Sequence, residues 1–560
     1  MAAGGSDAVR VDGIVYHRCM NSSDMQFDYI IVGAGSAGSV LANRLSASGR
    51  HSVLVLEAGG SDQRLYVQLP IGYGKTYYDE RVNWKYHTEP VPQMDKRVSY
   101  WPRGRVLGGS SAINAMVYVR GHVSDYRQWQ EAAPGWGWED VEPLFRRMER
   151  WQGKPDTRRG TQGPLSVTDI SSQAHPLCQR YLQAAEEAGL PRASDYNAGP
   201  MEGATLYQIT TDRGWRASAA RAYLRPAMRR SNLVVQTGSQ VLQILFEDRV
   251  ATGVEYTHRG VVKRARARAE VILCAGAVNS PQLMQLSGLG PQETLQAAGV
   301  NVRQAMPAVG RHLSDHLGAD IVCRSTVPTL NQSLGPWQGK LKAALQFLAG
   351  GKGPLALSLN QGGGFLRSTP ELEGPDLQLY FSPVSYTRAP PGTRPLISPD
   401  PFPGFLLGFN PCKPTSTGSV DIVSADPRTA PRIQPNYLAT EHDRQLMLKG
   451  MHLMRKLSDT AALQPIIEQE VYPGRTVQDD EQLMAFVRAN AWTVFHPSCT
   501  CRMGRDINSS VVDHKLRVHG ISGLRIADAS IFPTIPTGNT NAPAMMVGER
   551  AADLLLADAP

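Results

Sequence analysis

The sequence predicts an α/β protein of two lobes, one of them a Rossmann-like dinucleotide-binding unit. Three observations carry this expectation. "FDYIIVGAGSAGSVLANRLSASGRHSVLVLEAGG" reads as strand, helix, strand with a G-x-G-x-x-G at the first junction. The chain's 560 residues exceed the roughly 250 to 300 at which a single core stops growing. Further along, "PDLQLYFSPV", "GFLLGFN" and "GSVDIVSA" read as alternating segments consistent with strands of a second sheet.

In the first unit, Tyr29 to Val32 form a buried strand that ends at Gly33, and Val40, Leu41 and Leu45 give the following helix one apolar face. Gly49 supplies its stop, and "SVLVL" is a second buried strand that ends in Glu57. Gly33, Gly35 and Gly38, with Ser36 and Ala37 between the last two, let backbone approach a pyrophosphate where unpaired helix N–H groups point outward. Glu57, 19 residues after Gly38 and followed by Ala58, is placed to accept from an adenosine ribose, and its charge disfavours a 2′-phosphate. At this point FAD and NAD are both admitted.

Composition narrows the class. Hydrophobic residues make up 42% and charged residues 19%, and no apolar run approaches the ~18 residues of a membrane span. The formal charge of +8 is a small excess of 58 basic over 50 acidic residues. In the densest basic run Arg264, Arg266 and Arg268 alternate with alanines, the pattern of a solvated strand face rather than of a nucleic-acid groove. "GKLKAALQFLAGG" is a short amphipathic helix, read as a packed helix or lid, with peripheral membrane contact left open. Seven scattered cysteines make no secreted disulfide framework and fit a reducing, cytoplasmic setting. Residues 1–25 lack the apolar core of a secretory signal and are expected to be a flexible extension.

"HPSCTCRMG" places His496 beside Cys499 and Cys501. Locally this fits a metal site, core packing or a catalytic base. A convincing fourth ligand and the usual C-x₂-C spacing are missing, so no metal is expected and the cysteines read as packing residues. His312 and His316 in "HLSDH" are four apart without the glutamate of a zincin helix, which leaves a structural or cofactor-side role.

Several blocks together carry a family resemblance. "YWPRGRVLGGSSAINAMVYVRGHVSDYRQW" (100–129) and "GAVNSPQLMQLSGLG" (276–290) resemble the two signatures of the glucose-methanol-choline oxidoreductases, most closely their choline and alcohol dehydrogenase branch. "PAVGRHLSDH", "RIQPNYL", "HPSCTCRMG" and "LRIADASIFPTIPTGNTNAPAMMVGERAADLL" follow in the family order. The resemblance implies FAD, held in a lobe assembled from discontinuous segments (26–155, 226–318 and 486–560). It also implies an α+β substrate lobe with an antiparallel sheet (156–225 and 319–485). Trp84, Leu107, Gly108, Gly109, Ser110, Asn114, Ala115, Met116 and Val117 are then expected beside the cofactor, as are Ala275, Phe495 and Asn541. Val241 is expected at the adenine, and Asp528 with Ala529 at the ribityl and pyrophosphate region. Ile113 stands where some relatives carry a flavin-linking histidine, which implies a non-covalent cofactor.

The family's catalytic pair falls on His496 and Asn539, 43 residues on, with Asn541 as the nearby competitor. The implied chemistry is hydride transfer from a primary alcohol to the flavin while His496 takes the hydroxyl proton, giving an aldehyde. The partners implied are a small-molecule alcohol and dioxygen or another electron acceptor. Two alternatives stand beside this reading: a lyase or decarboxylase on the same fold, since Cys412 and Arg432 resemble residues of a decarboxylase branch, and a non-catalytic flavin-binding protein. The Pro-rich stretch "YTRAPPGTRPLISPDPFPGF" is expected to be a loop over the substrate entrance.

Overall fold

The computed structural model describes residues 10–11, 14–15, 25–386 and 399–559. Most of the expected extension (1–25) and the middle of the Pro-rich loop lie outside them.

The chain opens with β1 (Met25–Val32), α1 (Ser36–Leu45) and β2 (Val53–Leu56). Next come β3 (Gly203–Leu206), β4 (Leu233–Gln236), β5 (Ser239–Glu247), β6 (Val250–His258), β7 (Val261–Leu273) and α2 (Gly276–Leu286). The middle holds β8 (Leu317–Ser325), α3 (Trp337–Gly350), β9 (Gly362–Leu366), β10 (Leu377–Ser382) and β11 (Gly404–Pro411). α4 (Glu441–Ser458), β12 (Ile467–Tyr472), β13 (Trp492–Thr493), β14 (Leu524–Ile526) and α5 (Asn541–Asp558) complete the set used below.

Two seven-stranded sheets organise these elements. The first runs β4-β2-β1-β7-β6-β5, with β14 also on β7. Its β4, β2, β1, β7 and β14 pairings are parallel, while β7, β6 and β5 form an antiparallel meander. Parallel strands need cover on both faces, and β2 is buried at all four of its residues. Each fully buried Val, Leu or Ile there is worth about 1.5–3 kcal/mol. The second sheet, β12-β8-β11-β10-β9-β3 with β13 on β8, is antiparallel throughout. It has its own core, in which α4 packs Leu446, Met447 and Met451 against Phe405, Leu407 and Phe409 of β11. This is the α/β architecture with a second antiparallel sheet that the sequence predicts. β10 and β11 are the expected strands, but "GSVDIVSA" contributes only Ser419–Asp421, paired with Arg432–Gln434 in a separate ribbon.

The basic run lies in the first half of β7, between β1 and β6. Arg264, Arg266 and Arg268 are exposed and each meets a carboxylate, Glu255 at 2.9 Å, Glu247 at 3.0 Å and Asp28 at 2.8 Å. No helix among the described residues is long and apolar enough to cross a membrane.

Candidate active site

A cavity of about 820 Å³ runs from the β1–α1 junction to the loop after β13. At one end lie Gly33, Gly35, Ser36, Ala37, Glu57 and Ala58. Gly33 sits at φ +101°, where a Cβ would lie 2.5 Å from the Cys274 carbonyl, so only glycine makes this turn. α1 begins there with no side-chain cap and no acidic residue in its first turn. Its free N–H groups therefore form an anion site. α5 likewise starts uncapped at the cavity, where the Ser36 hydroxyl donates to Asn541 Oδ1 at 2.8 Å.

Glu57 is buried and accepts from the N–H groups of Ala34 (2.9 Å) and Gly59 (2.8 Å). Desolvation pushes its carboxyl up to about 7. Asp528 accepts from Gly276 N–H (2.8 Å), Ser280 Oγ (2.6 Å) and Ser530 N–H (2.8 Å), and so joins the start of α2 to the segment after β14. Asn114 Oδ1 accepts from Met116 N–H (3.1 Å) and from buried Arg216 (2.9 Å), which leaves the amide nitrogen for the cavity. Burial lowers the Arg216 guanidinium to about 10.

Trp84, Gly109, Ser110, Asn114, Ala115, Met116, Val117, Val241, Ala275, Phe495, Asp528, Ala529 and Asn541 all line the cavity, as do His496 and Asn539. Three expected cofactor contacts do not. Gly38 is on the packed face of α1, where a Cβ would fall 2.0 Å from the Gly33 carbonyl, so its smallness serves helix–strand contact. Leu107 is buried in the first lobe's core, and Gly108 is committed to a backbone bond from its N–H to the Ala34 carbonyl (2.8 Å).

The opposite end is set by the pairing of β8 with β13, whose register Leu317↔Thr493 brings two histidines 180 residues apart into contact. His316 Nε2 lies 3.1 Å from the Cys412 carbonyl, and His316 Nδ1 lies 2.9 Å from His496 Nδ1. A carbonyl only accepts, so His316 carries its proton on Nε2. Burial holds the His316 imidazole down at about 3, hence neutral, and its Nδ1 accepts from His496 Nδ1–H. His496 Nε2 is thereby left unprotonated, as an acceptor. Burial, His316 and Arg103 hold the His496 imidazole well below its ordinary value.

Asn539 Nδ2 stands 3.1 Å from His496 Nε2, and its orientation is fixed because Oδ1 accepts from Gln378 Nε2 at 3.0 Å. Buried Asp315 holds the segment from below. It accepts from His496 N–H (2.7 Å) and from the hydroxyls of Thr493 and Tyr437. Phe495, at φ +67°, is a left-handed non-glycine that swings His496 inward. Cys499 and Cys501 are buried, and their N–H groups donate to Ala529 and Ser530. Among the described residues no group of three or more His, Cys, Asp or Glu could hold a metal. "HLSDH" is not helical, and His312 is at φ +60°. Cys412 and Arg432 are absent from the lining, and Arg432 instead faces Asp421 at 3.7 Å.

Sequence reasoning did not find Asp315, Gln378, Arg216 or the His316–His496 contact. Nor did it find the aromatic wall that Tyr73, Tyr77, Tyr78, Tyr386 and Trp492 add beside the expected Phe495. The one available signal was that Asp315 and His316 share a block with family character.

Comparisons agree with this geometry. The chain is 42% identical over 539 residues to an oxygen-dependent choline dehydrogenase of Photobacterium profundum, covering 95% of this chain and 94% of that one. It is 38% identical to an alcohol dehydrogenase [acceptor] of Pseudomonas putida, covering 95% and 96%. A formate oxidase of Aspergillus oryzae RIB40, solved in a study of FAD modification, superposes with a TM-score of 0.88 at 27% identity, covering 96% and 99%. The uncapped helix start, the buried acid two residues before Gly59 and the long cavity fit FAD, which is the cofactor. Family profiles described as GMC oxidoreductase match residues 27–318 and 414–548, and the chain belongs to the GMC oxidoreductase family.

Proposed function

We propose that the protein oxidises a primary alcohol to an aldehyde, with His496 as the base and FAD held without a covalent bond. The observation that carries this reading is the unprotonated Nε2 of His496, which accepts from the Asn539 amide at 3.1 Å at the cavity wall. The names of the relatives, a choline dehydrogenase and an alcohol dehydrogenase, support a CH–OH donor. The electron acceptor is dioxygen or another oxidant.

FAD, when bound, supplies the two-electron acceptor for the hydride that leaves the alcohol's α-carbon. The residues of the chain do the rest. An alcohol hydroxyl that replaces the direct His496–Asn539 bond donates its proton to Nε2 while its oxygen accepts from Asn539 Nδ2–H, which fixes the carbon's direction. The proton taken up makes His496 cationic, and a cation beside the departing negative charge favours that departure. General-base help of this kind is worth about 10² to 10⁴ in rate. α1 and Glu57 hold the distal end of the cofactor. Ile113 lines the cavity and offers no nitrogen for a covalent link.

We assign 26–155, 226–318 and 486–560 to the cofactor lobe, and 156–225 with 319–485 to the substrate lobe. Support comes from the strands: β1, β2, β4 to β7 and β14 fall in the first set, and β3 and β9 to β12 in the second, with β8 crossing the boundary and β13, within 486–560, pairing with β8 of the second sheet. Anaerobic titration of the purified protein with a panel of primary alcohols tests the function. At least one alcohol should bleach the flavin absorbance with formation of its aldehyde. A yellow protein that no alcohol reduces would overturn the reading.

A further inference from the structure

α3 presents an outer face with no protein partner among the described residues. Trp337, Leu341, Leu345 and Leu348 are 69%, 52%, 58% and 79% exposed. At 3.6 residues per turn these four fall within an arc of roughly 80°. The inner face is seated: Ala343 and Phe347 are buried, and Phe347 meets Trp215 edge-on at 4.8 Å. Leu65, 62% exposed, extends the apolar area from the short helix Leu65–Gln68, which lies against the Trp215–Arg216 strand. Single exposed leucines are ordinary, but a contiguous stripe on one helix marks a docking surface.

The charge pattern identifies the occupant. Lys340 and Lys342 lie about 60° outside either edge of the arc. Lys352 follows the helix, and exposed Arg213 adjoins it, since the Arg213–Gly214 turn is against Gly351. Residues 321–370 contain no aspartate or glutamate. An apolar stripe between flanking lysines, with no acid on the helix itself and the adjoining Asp212 paired with Arg150, is the pattern of a helix lying in the interface of an anionic bilayer. We propose that α3 docks the protein peripherally on a lipid surface bearing anionic headgroups, with the four apolar side chains in the acyl boundary and the lysines at the headgroups.

The same side of the chain leads to the substrate end. Leu355 and Leu359, just past α3, pack with Tyr73 and Tyr77 of the cavity wall.

Flotation of the FAD-loaded protein with phosphatidylcholine vesicles, with and without phosphatidylglycerol, tests the proposal. The protein should float with the mixed vesicles, weakly with phosphatidylcholine alone, and be released by high salt. Leu341→Ser/Leu345→Ser/Leu348→Ser should lose flotation by at least about tenfold, and Lys340→Gln/Lys342→Gln should weaken it roughly fivefold per lysine. Both variants should reduce a soluble dye at the wild-type rate, which shows that they are folded. Wild-type protein that stays unbound with both vesicle types would overturn the proposal. So would sedimentation showing a dimer that the triple serine variant splits, because the face would then belong to a second copy.

Discussion

Removing the acceptor that His316 offers to His496 tests the base assignment through a residue outside the cavity lining. In His316→Phe the Nδ1–H of His496 loses its partner, and a buried unsatisfied donor costs about 1–3 kcal/mol. The imidazole relieves that cost by moving its proton to Nε2, at the expense of the bond that Asn539 Nδ2–H donates there. Each 1.4 kcal/mol is about tenfold in the tautomer ratio, so the rate of flavin reduction should fall roughly tenfold. His316→Asn places an amide oxygen close to the position of Nδ1, keeps the acceptor, and should recover most of the loss. The assay is single-turnover flavin reduction by a saturating alcohol, with flavin content measured in parallel so that a folding defect is visible. FAD-loaded His316→Phe reducing at the wild-type rate would refute the tautomer argument.

Other outcomes follow from the same geometry. Because burial, His316 and Arg103 hold the His496 imidazole below its ordinary value, the acid limb of kcat/KM should lie below pH ~6.5, with activity retained where a free histidine is already protonated; a limb above that value in a pH–rate profile would contradict the burial argument. Gly38→Ala sets a Cβ 2.0 Å from the Gly33 carbonyl and should cost about 1–3 kcal/mol, visible as a lower Tm in thermal melts. The only charged side chains at the His496 end, among the described lining residues, are Arg97 and Arg103. With aromatic walls and no carboxylate there, neutral aliphatic or aromatic alcohols should show higher kcat/KM than choline in steady-state assays, and a clear preference for choline would assign the rings to a cation–π cage instead.

The sequence exposes those parts of the molecule whose causes are local. Tyr29 to Val32, the glycines, the helix face of Val40, Leu41 and Leu45, and Glu57 stand within some thirty residues, and the first unit is found as read. Even there the individual glycines could not be sorted, since Gly35 on the cavity and Gly38 on the packed face differ only by the direction of a helix turn. The second sheet is harder to read because β10 and β11 are buried at every position, so their residues do not alternate. The His316–His496 contact depends on the register of β8 and β13, and His496 faces inward because Phe495 takes a left-handed backbone that its side chain does not announce. Family resemblance located His496 and Asn539, while their fixed orientation comes from Cys412, Gln378 and Asp315, which lie far from them in the chain.

The central claim is that a lone pair on His496 Nε2 removes the alcohol proton. The most direct measurement is the anaerobic rate of flavin bleaching by a good primary alcohol in FAD-loaded His496→Gln against wild type. The account predicts a fall of about 10² to 10⁴ with flavin content unchanged. A fully loaded variant that bleaches as fast as wild type would contradict it.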